Sequence, residues 1–209
     1  MKKYHFLSYL LCIALLTALF AVPALALEDP EPRCGAAIVV NGDTDEVLYS
    51  KNGYDRMYPA SITKIMTSLL VLEALERGDF TLDTQVTASY SAIAAITADS
   101  STAGIKVGEI LTVEQLLYCD MVSSANEACN ILAELVGGSI NGFAELMNAK
   151  AAELGMENTH YVNANGLHDP NHYTSAYDIY IVAKEAMKYD LFRKMVSTTK
   201  YVIPATRLE

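Results

Sequence analysis

The sequence predicts an α/β (α+β) protein in which an antiparallel sheet packs against a lobe of helices. Three observations lead to this fold class. A strand–turn–strand pattern occupies residues 36–50, and a mostly helical pattern fills residues 61–196. An apolar pair, Val202 and Ile203, could then begin another strand. This order indicates a helical lobe inserted into a sheet whose remaining strands lie outside the sequence.

The first residues have the features of a secretory signal peptide. Met1-Lys2-Lys3 is basic, residues 6–22 are mostly apolar, and Pro23-Ala24-Leu25-Ala26 ends in a small-x-small cleavage pattern. We therefore expect residues 1–26 to be removed and residues 27–209 to be exported, working in the cell envelope or in the medium. A retained membrane anchor is the alternative, because the apolar run approaches a spanning length.

Composition limits the partners of the protein. The signal segment carries two lysines and no acid, so its removal changes the net charge from −10 to −12. An acidic chain of this kind is not expected to bind nucleic acid. The sequence predicts no metal site, because its late histidines lack matching cysteines or carboxylates; they are His160, His168 and His172. Cys119 and Cys129 fall within helical pattern and are expected to be buried thiols rather than a disulfide.

Local signals indicate the hairpin and the first helix. Residues 36–40 and 46–50 are short apolar runs on either side of a turn at residues 41–44, as in an antiparallel hairpin. From about Ser61 to Gly78 the apolar residues recur at helical period, so a helix is expected to run through the core there. The segment that follows, residues 79–111, is expected to form loops and short strands.

The second half of the chain is predicted to be mostly helical. Thr112-Val113-Glu114-Gln115 has the spacing of a capping box, which opens a helix, and the helical pattern breaks at residues 122–126. A loop is expected at residues 156–173. Further helices are expected at about residues 127–136, 142–154, 176–189 and 190–196.

Ser61 and Lys64 form the first candidate site. Residues three apart lie on one face of a helix, and Pro59 suits a helix start. Ser61 is therefore expected in the first turn, where free N–H groups favour developing negative charge. A serine hydroxyl becomes nucleophilic when a base takes its proton, and the Lys64 amine is placed to do so. Ser-x-x-Lys is common on solvated helix surfaces, so it needs the support of further motifs.

Ser124-Ala125-Asn126 is the second candidate site, in the break between two apolar helices. A hydroxyl and an amide in such a break can face a cleft. The hydroxyl can pass a proton, and the amide can donate to and accept from a peptide backbone. The alternative is that Ser124 only caps the helix that follows it.

Together, these motifs resemble the first two motifs of the penicillin-binding and serine β-lactamase superfamily. The sequence is most similar to the low-molecular-weight D-alanyl-D-alanine carboxypeptidases, and the similarity extends from about residue 34 to residue 207. It rests on residues 58–67, 124–128, 165–167 and 172–178. The resemblance implies a β-lactamase/transpeptidase-like fold.

The resemblance also implies roles for single residues. Ser61 would attack the carbonyl of the penultimate D-alanine of a peptidoglycan stem peptide, with Lys64 as its base. Ser124 would relay the proton to the leaving D-alanine, and Asn126 would hold the substrate backbone. β-Lactam antibiotics would acylate Ser61, whose N–H would form half of an oxyanion hole, and no cofactor is implied. A matching family loop is assigned a structural role and contains Asn165, Gly166 and His172.

The family's third motif, Lys-Thr-Gly, does not occur in the sequence. We therefore expect residues 27–209 to be a catalytic domain that is incomplete at its C-terminus and lacks the family's membrane anchor. Such a chain is expected to be poorly soluble and slow. The alternative is an inactive fragment, or a binder of penicillin or stem peptides. A β-lactamase is disfavoured, because residues 157–161 do not match the Glu-x-x-Leu-Asn-like loop of those enzymes.

Overall fold

The computed structural model describes residues 30–97 and 99–208, with the side chain of residue 208 excepted. The chain divides into two units, residues 1–33 and 34–209. Of the first unit only residues 30–33 are described, and they are irregular. The predicted signal segment at residues 1–26 lies outside the described residues. No helix within the described ranges combines the length and the apolar character that crossing a bilayer requires.

The second unit combines seven α-helices and five strands among its described residues. β1 and β2 form an antiparallel pair, and β3, β4 and β5 form a separate antiparallel sheet with β4 at its centre. The elements in chain order are β1 (Ala37–Val40), β2 (Val47–Lys51), a 3-10 turn (Ala60–Thr63), α1 (Lys64–Arg77), β3 (Gln85–Thr87), α2 (Tyr90–Ala94), β4 (Glu109–Thr112), α3 (Val113–Ser123), α4 (Asn126–Gly137), α5 (Ile140–Glu153), α6 (Ala176–Ala186), α7 (Asp190–Val196) and β5 (Arg207–Leu208).

The predicted hairpin is confirmed. Ala37 pairs with Lys51, and the register shifts by one residue before Val40, which pairs with Val47. The turn is closed by Asn41, whose Oδ1 accepts the N–H of residues 43 and 44 at 3.0 and 3.3 Å. This side-chain turn explains why an asparagine stands between the two strands.

Helix α1 runs through the core, as its apolar pattern predicted. Met66, Leu69 and Val71 are completely buried, and α1 packs against α3, α4, α5 and α6. Burial of each such side chain stabilises the fold by about 1.5–3 kcal/mol. The helix ends at Gly78, which adopts φ +80°, a conformation that costs glycine little. The first residues of α1 are therefore fixed by a helix that cannot move without disturbing the core.

The helix boundaries follow their caps. The predicted capping box is present: Thr112 Oγ1 accepts the N–H of Gln115, and Gln115 Oε1 accepts that of Thr112. Helix α5 begins at residue 140, slightly before the predicted start, because Ser139 Oγ caps it by accepting the Gly142 N–H at 3.0 Å. Helix α6 ends at residue 186 rather than near 189, and α7 has its predicted bounds.

Two predictions for the remaining segments need correction. Helix α2 lies where only loops and strands were expected; its five residues are too few to show a helical period. The strand expected at Val202-Ile203 is wrong, because residues 201–206 are irregular and the strand is β5. Tyr201 instead stacks on Tyr118 of α3, with ring centroids 3.8 Å apart. β5 then pairs with β4 rather than with the hairpin.

Candidate active site

Ser61 lies in the 3-10 turn and not, as predicted, on the first turn of the α-helix, which begins at Lys64. In a 3-10 turn the side chains of residues i and i+3 eclipse each other. The lysine amine is accordingly placed directly against the serine, with Nζ 3.3 Å from Oγ. The first amide bonded within the turn is that of Ile62, which donates to Pro59 O, so the Ser61 N–H precedes the turn's hydrogen bonds. Ser61 itself is exposed.

The backbone before the nucleophile is held in a strained conformation. Ala60 has φ +48°, which is unfavourable for a residue with a Cβ. Gly166 packs directly against it: a Cβ at position 166 would lie 1.8 Å from Ala60 O, and Gly166 itself has φ +87°. Only glycine satisfies both conditions at that position. The close contact therefore fixes the turn that presents Ser61.

Lys64 is 2% exposed and is surrounded by neutral acceptors. Its Nζ donates to Asn126 Oδ1 and to the backbone carbonyl of Asn165, each at 2.8 Å, in addition to Ser61 Oγ. Within residues 30–97 and 99–208, none of the ion pairs includes this lysine. A buried amine held by three neutral acceptors is well oriented, but it lacks an adjacent carboxylate to balance a positive charge.

Ser124 ends helix α3 with φ +57°, and its Oγ is buried without a hydrogen bond to any described residue. The alternative that it caps the following helix is not observed, because the N-cap of α4 is Ala125. A buried hydroxyl without a partner costs free energy, unless a ligand or a water molecule satisfies it. The hydroxyl is therefore free to donate, and it makes no hydrogen bond with Ser61 or Lys64.

Asn126 is the first residue of α4 and is 5% exposed. Its backbone N–H donates to Ser101 O at 2.9 Å, and its Oδ1 is occupied by Lys64. The sequence predicted an amide facing a cleft, and the structure adds a direct contact with the lysine. The Nδ2 group of this side chain takes no part in that contact.

A loop at residues 162–172 holds the start of α1 from the other side. Thr67 Oγ1 donates to Ala164 O at 2.6 Å, next to the Asn165 carbonyl that binds the lysine. His172 Nδ1 accepts the Val162 N–H at 3.1 Å, so its Nε2 carries the proton and donates to Thr63 Oγ1 at 2.8 Å. Burial lowers the pKa of His172 to about 4, which keeps the ring neutral at pH 7.

Two buried carboxylates near the site were missed by the sequence analysis. Asp120 on α3 accepts hydrogen bonds from Ser68 Oγ and Cys129 Sγ, each at 2.8 Å, and burial raises its pKa to about 6. Glu127 on α4 is also fully buried; its Oε1 accepts from Thr102 Oγ1 and from the N–H groups of residues 103–105. An acid inside an apolar helical pattern was the available signal for both.

The cysteines agree with their prediction. Cys119 and Cys129 are free and buried, and burial raises the pKa of Cys119 to about 12. Both side chains are therefore neutral thiols at physiological pH. Cys34 is free and exposed.

A serine on a 3-10 turn, a buried lysine amine against its hydroxyl and a Ser-x-Asn segment at a helix break match the pattern of the Ser-x-x-Lys class of serine acyl-transfer sites. The D-alanyl-D-alanine carboxypeptidase family matches residues 24–206, and the chain belongs to that family.

Individual relatives agree with this assignment. The chain is 38% identical over 194 residues to the D-alanyl-D-alanine carboxypeptidase DacF of Bacillus subtilis, covering 90% of this chain and 49% of the relative. Penicillin binding protein 5 from Haemophilus influenzae superposes with a TM-score of 0.81 at 29% identity, over 87% of this chain and 54% of that one. A variant of a Streptomyces DD-transpeptidase superposes with a TM-score of 0.79 at 31% identity, over 86% of this chain and 70% of that one.

These comparisons confirm the predicted β-lactamase/transpeptidase-like fold class. The chain spans about half the length of the first curated relatives that it matches, 49%, 41% and 47%.

Proposed function

We propose that the protein is a serine-type D-Ala-D-Ala carboxypeptidase, which removes the terminal D-alanine from peptidoglycan stem peptides through an acyl-enzyme. The observation that carries this proposal is the contact between Lys64 Nζ and Ser61 Oγ at 3.3 Å, with the amine buried and oriented by neutral acceptors. A family whose members are named for this reaction supports it.

In the acylation step the neutral Lys64 amine donates its two N–H groups to Asn126 and Asn165 and directs its lone pair at Ser61. Ser61 Oγ attacks the carbonyl carbon of the penultimate D-alanine while its proton passes to Lys64 Nζ. The carbonyl oxygen becomes an oxyanion, and the Ser61 N–H is the donor that the turn leaves for it. The strained residue before Ser61 and its contact with Gly166 hold this N–H and the hydroxyl in fixed directions. The 3-10 turn therefore supplies the nucleophile and one oxyanion donor, and the first residue of α1 supplies the base.

In the second half of acylation, the C–N bond breaks and the leaving D-alanine needs a proton. Ser124 Oγ, which is buried and has no partner among the described residues, takes the role of proton relay from Lys64. Asn126 holds the backbone of the peptide through its Nδ2 group, since its Oδ1 already binds Lys64. Water then hydrolyses the ester on Ser61 and releases the shortened peptide.

β-Lactam antibiotics are proposed as inhibitors that acylate Ser61 in the same way, because opening their cyclic amide leaves an ester on the same oxygen. The predicted signal segment at residues 1–26 supports export, so the substrate and the drugs would be met outside the cytoplasmic membrane. The acidic chain is proposed to have no nucleic acid partner.

The test combines acylation with product release. Benzylpenicillin should add its mass to one peptide containing Ser61, and a D-Ala-D-Ala peptide should release free D-alanine. Ser61→Ala should abolish both activities. Lys64→Arg should do the same, because a guanidinium does not lose its proton near neutral pH. Label on another serine, or Lys64→Arg acylating at the native rate, contradicts the assignment.

A matched pair of variants tests the second motif. Ser124→Ala should slow acylation by about 10²-fold or more, which is within the range of general acid–base catalysis. Ser123→Ala removes the hydroxyl of the neighbouring exposed residue, which donates to the Cys119 carbonyl, and should leave the acylation rate unchanged. Equal rates for the two variants would exclude Ser124 as the relay. Adding an amine acceptor distinguishes hydrolysis from the transpeptidation named for the Streptomyces relative, since only transpeptidation joins the amine to the peptide.

A further inference from the structure

Asp120 lies in the core behind the candidate site, with its side chain completely buried. Its two hydrogen bonds come from neutral donors, Ser68 Oγ on α1 and Cys129 Sγ on α4. Ser68 follows Lys64 by four residues on α1, so it lies one turn further on the same face of the helix. Asp120 is therefore hydrogen-bonded to a residue one helical turn beyond Lys64.

Lys64 and Asp120 complement each other. The lysine is buried with neutral acceptors only, and the aspartate is buried with neutral donors only. Burial raises the pKa of Asp120, while the two hydrogen bonds and the attraction of Lys64 lower it. Each group thus lacks an adjacent counter-charge, and each lies within electrostatic range of the other in a low-dielectric environment.

Other ionisable groups around α3 do not replace this pairing. Helices α1, α4 and α7 and strand β4 pack against α3. The Cys129 thiol on α4 stays neutral, because its burial and the nearby aspartate raise its pKa. The buried Glu127 is bound to the 102–105 loop. The remaining charged groups on these elements are partly or fully exposed: Glu73, Glu76 and Arg77 on α1, Glu114 on α3, Glu134 on α4, Asp190, Arg193 and Lys194 on α7, and Glu109 on β4.

We propose that Asp120 is a positioning residue for the reaction, the buried counter-charge of Lys64. When Lys64 takes the proton of Ser61 it becomes an ammonium group, and an ionised Asp120 stabilises that ammonium without touching the substrate. The charge pairing is argued from the burial of both groups and the hydrogen bond between Asp120 and Ser68, whereas its effect on acylation rests on the proposed function. The two parts are tested separately.

The coupling is measured by carbon NMR of labelled aspartate carboxyl groups, which needs no activity. In the native chain one carboxyl should titrate near pH 6. Lys64→Met keeps the length of the side chain but removes the charge, and it should move that midpoint up by about one pH unit or more. Lys106→Met, which removes an exposed charge, should leave it in place. An unmoved midpoint in Lys64→Met overturns the proposal.

The effect on the reaction is measured from the pH dependence of acylation by a fluorescent penicillin. Asp120→Asn keeps the shape of the side chain and removes its charge. The ammonium form of Lys64 should then be less stable, so the acid limb of the acylation profile should move to lower pH and the plateau rate should fall about tenfold. Cys119→Ala, a buried change on the same helix, should leave the acid limb unmoved.

The possible results are distinct. A slower Asp120→Asn enzyme with an unmoved acid limb shows a packing role and overturns the proposal. If Asp120→Asn does not fold, the Lys64→Met titration decides the coupling by itself. If the native chain is not acylated by any penicillin, the proposed function fails, while the NMR titration still confirms or refutes the charge pair.

Discussion

His172 should make the stability of the protein depend on pH in a way that one substitution can isolate. The ring is 2% exposed and bridges the Val162 N–H and Thr63 Oγ1, which requires the neutral form. Burial lowers its pKa from 6.5 to about 4. A proton added at Nδ1 would remove the acceptor for the Val162 N–H, so acid should loosen the loop that holds the start of α1.

The direction of this pH effect follows from the protonation of His172 in the folded and unfolded states. A histidine with a lowered pKa binds its proton more readily when unfolded, so acid favours unfolding. Its contribution is fully present above pH 6.5 and is lost as the pH falls toward 4. Between pH 7 and pH 4.5 these pKa values correspond to a loss of about 2 kcal/mol in the free energy of unfolding.

The buried Asp120 acts in the opposite direction. Its pKa is raised from 3.8 to about 6, so the folded state binds the proton more readily and acid favours folding between those values. Between pH 7 and pH 4.5 this raises the free energy of unfolding by about 2 kcal/mol. The two contributions nearly cancel in the native chain, and the comparison must therefore be made between variants.

The assay is urea unfolding at pH 7 and pH 4.5 for the native chain, His172→Gln and the control His168→Gln. Glutamine can accept from the Val162 N–H and donate to Thr63 without titrating. Relative to the native chain, His172→Gln should therefore gain about 2 kcal/mol on going to pH 4.5. The exposed His168 serves as the matched histidine. If both variants keep the native pH dependence, the buried neutral ring is not the cause.

Three further substitutions probe local features by urea unfolding or hydrogen exchange. Gly166→Ala should lower the free energy of unfolding by at least about 3 kcal/mol, because its Cβ meets a backbone oxygen. The control Gly155→Ala is also at positive φ but in open space, and it should lower the free energy of unfolding by about 1 kcal/mol. Equal losses would contradict the steric argument. Thr112→Ala should lose about 1 kcal/mol by removing the capping box, and an unchanged urea midpoint would show that the cap is not needed. Glu127→Gln should cost about 1–3 kcal/mol and speed amide exchange at residues 103–105; unchanged exchange would show that the carboxylate does not hold that loop.

The features that the sequence predicted well depend on neighbouring residues. The end of α1 at Gly78, the capping box at Thr112 and the hairpin turn at Asn41 are each set by contacts within a few residues. Strand β5 was misplaced because its partner, β4, lies about a hundred residues earlier, and nothing near residue 207 indicates that pairing. Long-range pairing of short strands has no local signature.

The candidate site divides in the same way. Ser61 and Lys64 could be chosen as candidates from sequence, because residues three apart in a helical turn lie side by side and the amine can reach the hydroxyl. The 3-10 form of the turn was not predicted. The carbonyl of Asn165 has no sequence signal as a ligand of the lysine, since every residue has one. Asp120 did have a signal, a charge within an apolar helix, but its partners on α1 and α4 become neighbours only in the folded chain.

The strain energy of the turn that carries Ser61 can be compared with the energy of the hydrogen bonds that hold the turn in place. A left-handed residue such as Ala60 costs about 1–2 kcal/mol, and the turn would relax if nothing opposed it. Thr63 accepts a hydrogen bond from His172, and Lys64 and Thr67 donate to the carbonyls of residues 165 and 164. These bonds connect the end of the turn and the start of α1 to the loop. At about 1 kcal/mol each, they exceed the strain, and the close contact of Gly166 blocks the relaxed path. We therefore expect the loop and the nucleophile turn to form and unfold together. A substitution that loosens the loop should change the conformation of Ser61 before it changes the packing of the core.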